Sequence, residues 1–253
     1  MAASITLYIF YAKSFQKYRS AFSFGKYSRK LFSKMLQIGI PSGAQFIFEV
    51  AAFDFSLVMM GWLGTATQAA HQITINMATL TYMTTAGLAA AATVRVSYFL
   101  GNNDYKNLKR SAYSIIGMAM VWMSICAIIF ISCRHLLPAL YIDDAEVISI
   151  ASSLLIIAGL FQLSDGAQVV FASALRGLQD VKIPSVLIFI CYWVISLPLG
   201  YVLAFKVGFG AWGIWVGLLT GLTLTATTMF FRFRWLTKAL ARQSAEKESL
   251  RRT

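Results

Sequence analysis

The stretch MLQIGIPSGAQFIFEVAAFDFSLVMM, residues 35–60, is long and apolar enough to cross a bilayer as one helix, yet it carries two carboxylates, Glu49 and Asp54. About 20 apolar residues are needed to span the hydrocarbon core. An ionised acid at its centre costs roughly 2.5–3.5 kcal/mol even on a lenient insertion scale. Such a group needs a protein interior, a water-filled cavity, a partner or a proton. One segment therefore argues both for a membrane fold and for a polar site inside it.

The same character recurs along the chain. Of 253 residues 58% are apolar and 13% charged, and the mean hydropathy is +0.67, far from the balance of a soluble domain. After residues 35–60, further spans are predicted over 66–88 with a small-residue extension to 96, then 111–133, 147–175, 183–205 and 212–231. The expected fold class is all-α, a polytopic membrane protein with six transmembrane helices. Residues 1–34 read as the end of a preceding helix, Met1 to Ala12, plus a basic loop; 35–235 as the six-helix lobe; 236–253 as a polar tail, frayed helix or disordered.

Basic residues fix the expected orientation, because lysine and arginine in short loops stay in the cytoplasm. The loops and tails on one side hold seven (Lys13 to Lys34), four (Arg95 to Arg110), two (Arg176, Lys182) and seven (Arg232 to Arg252); the other side holds only Arg134 and Lys206. Both termini are expected in the cytoplasm, with the chain a multi-pass protein in contact with membrane lipid. The net charge of +12 is spread over membrane flanks, so nucleic acid is not an expected partner.

Residues three and four apart share a helix face. Ser42, Gln45 and Glu49 form one polar stripe, beside Pro41. Gln72, Asn76 and Thr79, followed by Met83, form a second, and Gln162, Asp165 and Ser173 a third, with Gln168 at its edge. Three polar faces suggest a shared cavity, although Gln, Asn, Ser and Thr at this spacing also serve as interhelical glue. Glu49 and Asp165 are poor glue, since no Lys or Arg lies deep in any span. Asp54 lies about 140° round the helix from Glu49 and is placed off its stripe, as a neutral packing acid or in a second crevice. His71 reads as a hydrogen-bonded packing residue. Trp62, Trp122, Trp212, Trp215 and Trp235 read as interfacial anchors, and Cys126, Cys133 and Cys191 as packing residues.

No HExxH, GxSxG or GxxxxGK[ST] motif occurs, and His71 and His135 have no triad company. An enzyme is not expected, nor a cofactor, and without a P-loop any work is driven by an ion gradient.

With these residues laid out, the chain resembles the multidrug and toxic compound extrusion (MATE) family in its NorM-like branch. The match rests on LFSKMLQIGIPSGAQFIFEVAAF, QAAHQITINMATLTYMTTAGLAAAATVRVSYFLGN, FQLSDGAQVVFASALRGLQD, and YWVISLPLGYVLAF followed by GAWGIWVGLLTG, in that order. The resemblance implies a bacterial inner-membrane antiporter of twelve helices in two lobes, exporting organic cations in exchange for H+ or Na+. This chain would be the second lobe, helices seven to twelve, and its partner a six-helix first lobe. It would then be a fragment, half of a split transporter, or a half that pairs with itself. By motif position Glu49 and Asp165 match the family's cation-site acids, where Na+ would also bind, and Gln45, Gln162, Gln72 and Asn76 would line the cavity. Arg95 matches the VRVG arginine, and Arg176 and Gly177 the LRG turn. Phe161 stands where relatives can carry a tyrosine, Ser97 replaces a glycine, and Asp54 is an extra acid. The rival readings are a self-associating six-helix channel or scaffold, and a lipid-linked precursor flippase of the same superfamily, whose cavity would be basic.

Overall fold

The computed structural model describes residues 28–252, with side chains described for 28–242. The expectations for Met1 to Ala12, for most of the basic loop and for the side chains of the tail lie outside the described residues. The chain divides into Met1–Gly39, whose described part is Ser28 and the first turns of a helix, and Ile40–Thr253, which holds everything discussed below.

Six long helices form, with no strand among the described residues: α1 Arg29–Leu63, α2 Thr65–Gly101, α3 Tyr105–Ser132, α5 Ala145–Gly177, α6 Lys182–Lys206 and α7 Ala211–Arg252. A four-residue turn, α4 Leu136–Ala139, joins α3 to α5. Five of the six are apolar enough to cross a membrane. The exception is α2, which is 37 residues long but whose glutamines, asparagine and threonines dilute its apolar residues. The outward surface is that of a multi-pass membrane protein, with Ile47, Val58, Leu80, Val121, Ile128 and Val186 exposed.

Short connections set the helix order. Gly64 alone joins α1 to α2, at φ 129°, a conformation that favours glycine. Asp144 caps α5 by accepting from the backbone N–H groups of Glu146 and Val147, at 2.9 and 3.2 Å. Asp104 caps α3 through the N–H and side-chain amide of Asn107, and these bonds hold its carboxyl below the usual range. Asp180, between α5 and α6, pairs with Arg232 of α7 at 2.7 Å.

The core centres on α5, which packs against α2, α3 and α7 and buries residues on every side, including Leu154, Leu155, Val170 and Leu175. Its glycines permit that approach: a Cβ on Gly166 would stand 2.7 Å from Met123 Cγ of α3. α6 and α7 meet still more closely. Gly213, Gly217 and Gly221 recur every fourth residue along α7, and a Cβ on Gly217 would lie 2.6 Å from Gly200 Cα of α6. Ser196 Oγ donates across this contact to Gly217 O at 2.8 Å.

One expectation changes, and two helices show detail that the sequence left open. Trp215 is fully buried, because it faces α5 and the ring of Phe161 and not the interface, so it is a core residue and not an anchor. α7 continues without a break through the expected tail to Arg252. α6 is not a uniform helix: residues Ile190–Ser196 and Val202–Lys206 are π-helical on either side of Leu197–Tyr201, which contains Pro198. The wider turn around Pro198 accommodates a residue that cannot donate a backbone hydrogen bond.

Candidate functional site

α1 makes no extensive close backbone approach to any other helix. It reaches its neighbours through side chains. Trp193 Nε1 of α6 donates to Phe48 O at 3.0 Å, and Ser185 Oγ donates to Pro41 O at 2.6 Å. Ser56 Oγ gives its proton to Phe53 O at 2.6 Å, so at 3.4 Å from His71 Nε2 of α2 it can only accept. The space left between α1, α2 and α5 is a pair of open clefts.

The larger, about 290 Å³, is lined by Glu49, Asp54, Asp165, Phe53, Phe161 and Tyr82, with Thr79 at its wall. The smaller, about 110 Å³, is lined by Gln45, Phe46, Glu49, Gln168, Ser173 and Arg176, with Tyr82 between. Phe46, Glu49 and Tyr82 belong to both. Glu49 is held in place by a relay across three helices. Gln168 Nε2 of α5 donates to Glu49 Oε1 at 2.8 Å, and Tyr192 O–H of α6 donates to Gln168 Oε1 at 3.1 Å. The π-helical turn at Ile190–Ser196 carries both Tyr192 and Trp193, so one irregular turn supplies two of the ties that fix α1. A half-buried carboxylate that accepts from a locked amide keeps its remaining oxygen for a ligand.

The structure thus brings Glu49, Asp165, Gln45 and Phe161 to the clefts. It also brings Asp54, which the helical-wheel argument had set apart. Taking Glu49 as 0°, Phe53 falls at about 40°, Phe46 at 60°, Val50 at 100° and Asp54 at 140°. All five line the larger cleft. Its wall on α1 is a broad arc with an acid at each edge, because a helix held away from the bundle shows it more than a single stripe.

Gln162 lies elsewhere: it is fully buried and donates to Thr81 Oγ1 at 2.6 Å, a tie between α5 and α2. Gln72 and Asn76 are exposed, 3.5 Å apart, and line neither cleft. Arg95 is exposed, 5.7 Å from the centroid of Phe99, and is also outside both. His71 is buried with Trp215 edge-on at 5.6 Å, a packing position. The sequence argument missed Tyr82 and Tyr192. On α2 the cleft face runs through Ile75, Ala78, Thr79, Tyr82 and Ala86, one residue off the expected Thr79 to Met83 step. The signal was present, since Thr79, Tyr82 and Ala86 follow the 3,4 spacing, but a tyrosine there reads as packing.

Among the described residues no three His, Cys, Asp or Glu side chains stand close enough together to hold a metal ion. A Na+ at Glu49 and Asp165 would therefore draw further oxygens from amide, hydroxyl or backbone groups.

Comparison with known proteins places this architecture. The MatE family model matches residues 41–202. The "Probable multidrug resistance protein NorM" of Agrobacterium fabrum is 40% identical over 211 residues, covering 81% of this chain and 45% of that protein. The multidrug resistance protein NorM of Aliivibrio fischeri is 32% identical over 254 residues, covering 99% and 55%. The crystal structure of a eukaryotic MATE transporter superposes with a TM-score of 0.81 at 20% identity, covering 96% of this chain and 55% of that one. The chain spans about half the length of the curated relatives it matches.

Proposed function

Because this chain belongs to the MatE family, we propose that it acts as the C-terminal six-helix half of a multidrug efflux antiporter, exporting organic cations against H+ or Na+. The observation that carries the reading is the larger cleft, where three acids, Glu49, Asp54 and Asp165, stand among Phe46, Phe53, Phe161 and Tyr82. Aromatic walls suit the flat or greasy body of a lipophilic cation, and acids suit its charge. Protons or sodium ions compete for the same carboxylates. Antiport is that competition coupled to alternating access, for which a first six-helix lobe is the expected partner. The exposed pair Gln72 and Asn76 then belongs to the face that the first lobe covers.

The direct test is equilibrium binding of tetraphenylphosphonium to the chain in lipid nanodiscs. Saturable binding that weakens as pH falls or Na+ rises is expected. Binding indifferent to both, or none above empty nanodiscs, overturns the reading. The expected orientation, both termini cytoplasmic in a bacterial inner membrane, is checked separately. Cysteines at Arg134 and Lys206 should react with an impermeant maleimide added outside intact cells, and one at Lys109 should not.

A further inference from the structure

α3 and α7 meet at the end of the bundle that carries the basic loops, and their contact gathers cations that lie far apart in the sequence. Tyr113 of α3 stands edge-on to Phe233 of α7, ring centroids 6.0 Å apart. Lys109 and Arg110 precede Tyr113 by four and three residues and share its face of α3. On α7, Phe233 faces Phe171 of α5 at 6.1 Å, and Arg232 and Arg234 flank it at about 100° to either side. Arg232 is on the α6 side, since it pairs with Asp180 of the α5–α6 turn at 2.7 Å. α3 packs on α5 and α7 but not extensively on α6, so it lies on the other flank, where Arg234 and, one turn on, Lys238 project. A rise of about 1.5 Å per residue puts Lys109 and Lys238 at similar heights, about 6 and 7.5 Å beyond the Tyr113–Phe233 contact.

These cations are not balanced from within the chain. Among the described residues Lys109, Arg110, Arg234 and Lys238 form no ion pair, and the acids at this end are engaged: Asp180 by Arg232, and Asp104 by Asn107, with the charge of Lys106 beside it. Like charges on the two sides of one groove repel, and an anion between them removes that cost. Toward the bilayer the same two faces turn aromatic, with Tyr113 on α3 and Phe231, three residues before Arg234, on α7, both exposed. About 20 residues from Trp212 reach Phe231, so the two rings stand at the edge of the hydrocarbon and the cations in the headgroup layer, about 5–7 Å deep. We propose that this groove is a binding site for an anionic phospholipid, its phosphate held by Lys109, Arg110, Arg234 and Lys238 and its acyl chains lying on Tyr113 and Phe231. An apolar floor that leads to a cationic rim fits a lipid better than a free phosphate, which has nothing to lay on the rings. The groove is separate from both clefts, so the site stands independently of the reading given under Proposed function.

The test uses the full chain in uncharged detergent, with phosphatidylglycerol and phosphatidylcholine that carry the same fluorescent acyl chain. The measured quantity is the ratio of dissociation constants, choline lipid over glycerol lipid, taken within each variant so that the yield of folded protein cancels. The unmutated chain should favour the anionic lipid tenfold or more, and a ratio under threefold overturns the proposal. Lys109→Gln combined with Arg234→Gln should bring the ratio under threefold, whereas Lys109→Arg combined with Arg234→Lys, which keeps both charges, should hold it near the unmutated value. A glutamine pair that leaves the ratio unchanged overturns the site. Arg95→Gln combined with Lys182→Gln removes two charges elsewhere at the same end and should leave the ratio in place; an equal fall there would mean diffuse attraction to a basic surface, and no site. Inorganic pyrophosphate, with ionic strength matched by sodium chloride, should not displace the lipid. Displacement would make the occupant a soluble phosphate and overturn the assignment to a lipid.

Discussion

Glu49→Gln and Asp165→Asn, made singly, should each weaken tetraphenylphosphonium binding by about ten- to a hundredfold. The two together should abolish it, and with it any export the assembled transporter performs. Both changes keep side-chain volume, and in Glu49→Gln the new amide oxygen could still accept the hydrogen bond that Gln168 now gives to Glu49. What is removed is charge in a partly enclosed cleft, where an interaction with a charged group is worth roughly 1.5–3 kcal/mol. The pH dependence has a definite sign: binding needs the ionised acids, so it is lost as pH falls, and each neutral variant should flatten that loss. Asp54→Asn should act in the same direction but less strongly, because Asp54 is exposed at the rim where water screens it. Membrane abundance, read by detergent gel filtration, should be unchanged in all three. Full binding by the double variant would reduce the acids to packing.

Gly217→Leu should be as damaging to folding as the acid variants are to binding. A Cβ at this position would stand 2.6 Å from Gly200 Cα and 2.7 Å from Ser196 O, which are backbone atoms that cannot rotate away. Relief requires α6 and α7 to separate, which also breaks the Ser196 bond to Gly217 O. Overpacking of this kind costs about 1–3 kcal/mol for one extra group and more for a whole isobutyl side chain. The expected result is a large loss of monodisperse protein and of thermal stability. Gly87→Ala is the control: no atom lies within 4 Å of a Cβ there, and alanine is favoured over glycine in a helix by about 1 kcal/mol, so that variant should be at least as stable. Equal behaviour of the two variants would mean that the α6–α7 contact is looser than described.

These two predictions differ in how far the sequence announced them. Glu49 and Asp165 were legible at once, because an acid in an apolar run has few explanations. The helix count and approximate spans were legible for the same reason of composition. The helical-face argument set Asp54 off the Gln45–Glu49 stripe, and the clefts keep that separation, since Gln45 lines only the smaller and Asp54 only the larger, where the wall of α1 extends over about 140°. Gln72 and Asn76 have the spacing of a polar stripe but line neither cleft, since period alone does not say which neighbour a helix face meets. The glycine ladder on α7 was visible as spacing, but only its partner Gly200, fixed by the fold, turns spacing into contact. The π-helical turns had no sequence signal beyond Pro198, and they decide where Tyr192 and Trp193 point.

The single-residue joint at Gly64 has a consequence for how the chain is made. Its N–H is bonded to Gly61 O at 3.2 Å and its carbonyl accepts from Gln68 N–H at 3.0 Å, so the last turn of α1 and the first of α2 are stitched through it. A Cβ on Gly61 would meet Gln68 at 3.3 Å, leaving little slack on either side. At the ribosome exit, α1 would emerge with its acids exposed and α2 with a polar stripe, each a poor candidate to enter lipid alone. Joined by one residue, they have to leave the translocon together as a hairpin, with Glu49 and Asp54 of α1 facing Thr79 and Tyr82 of α2 across the cleft.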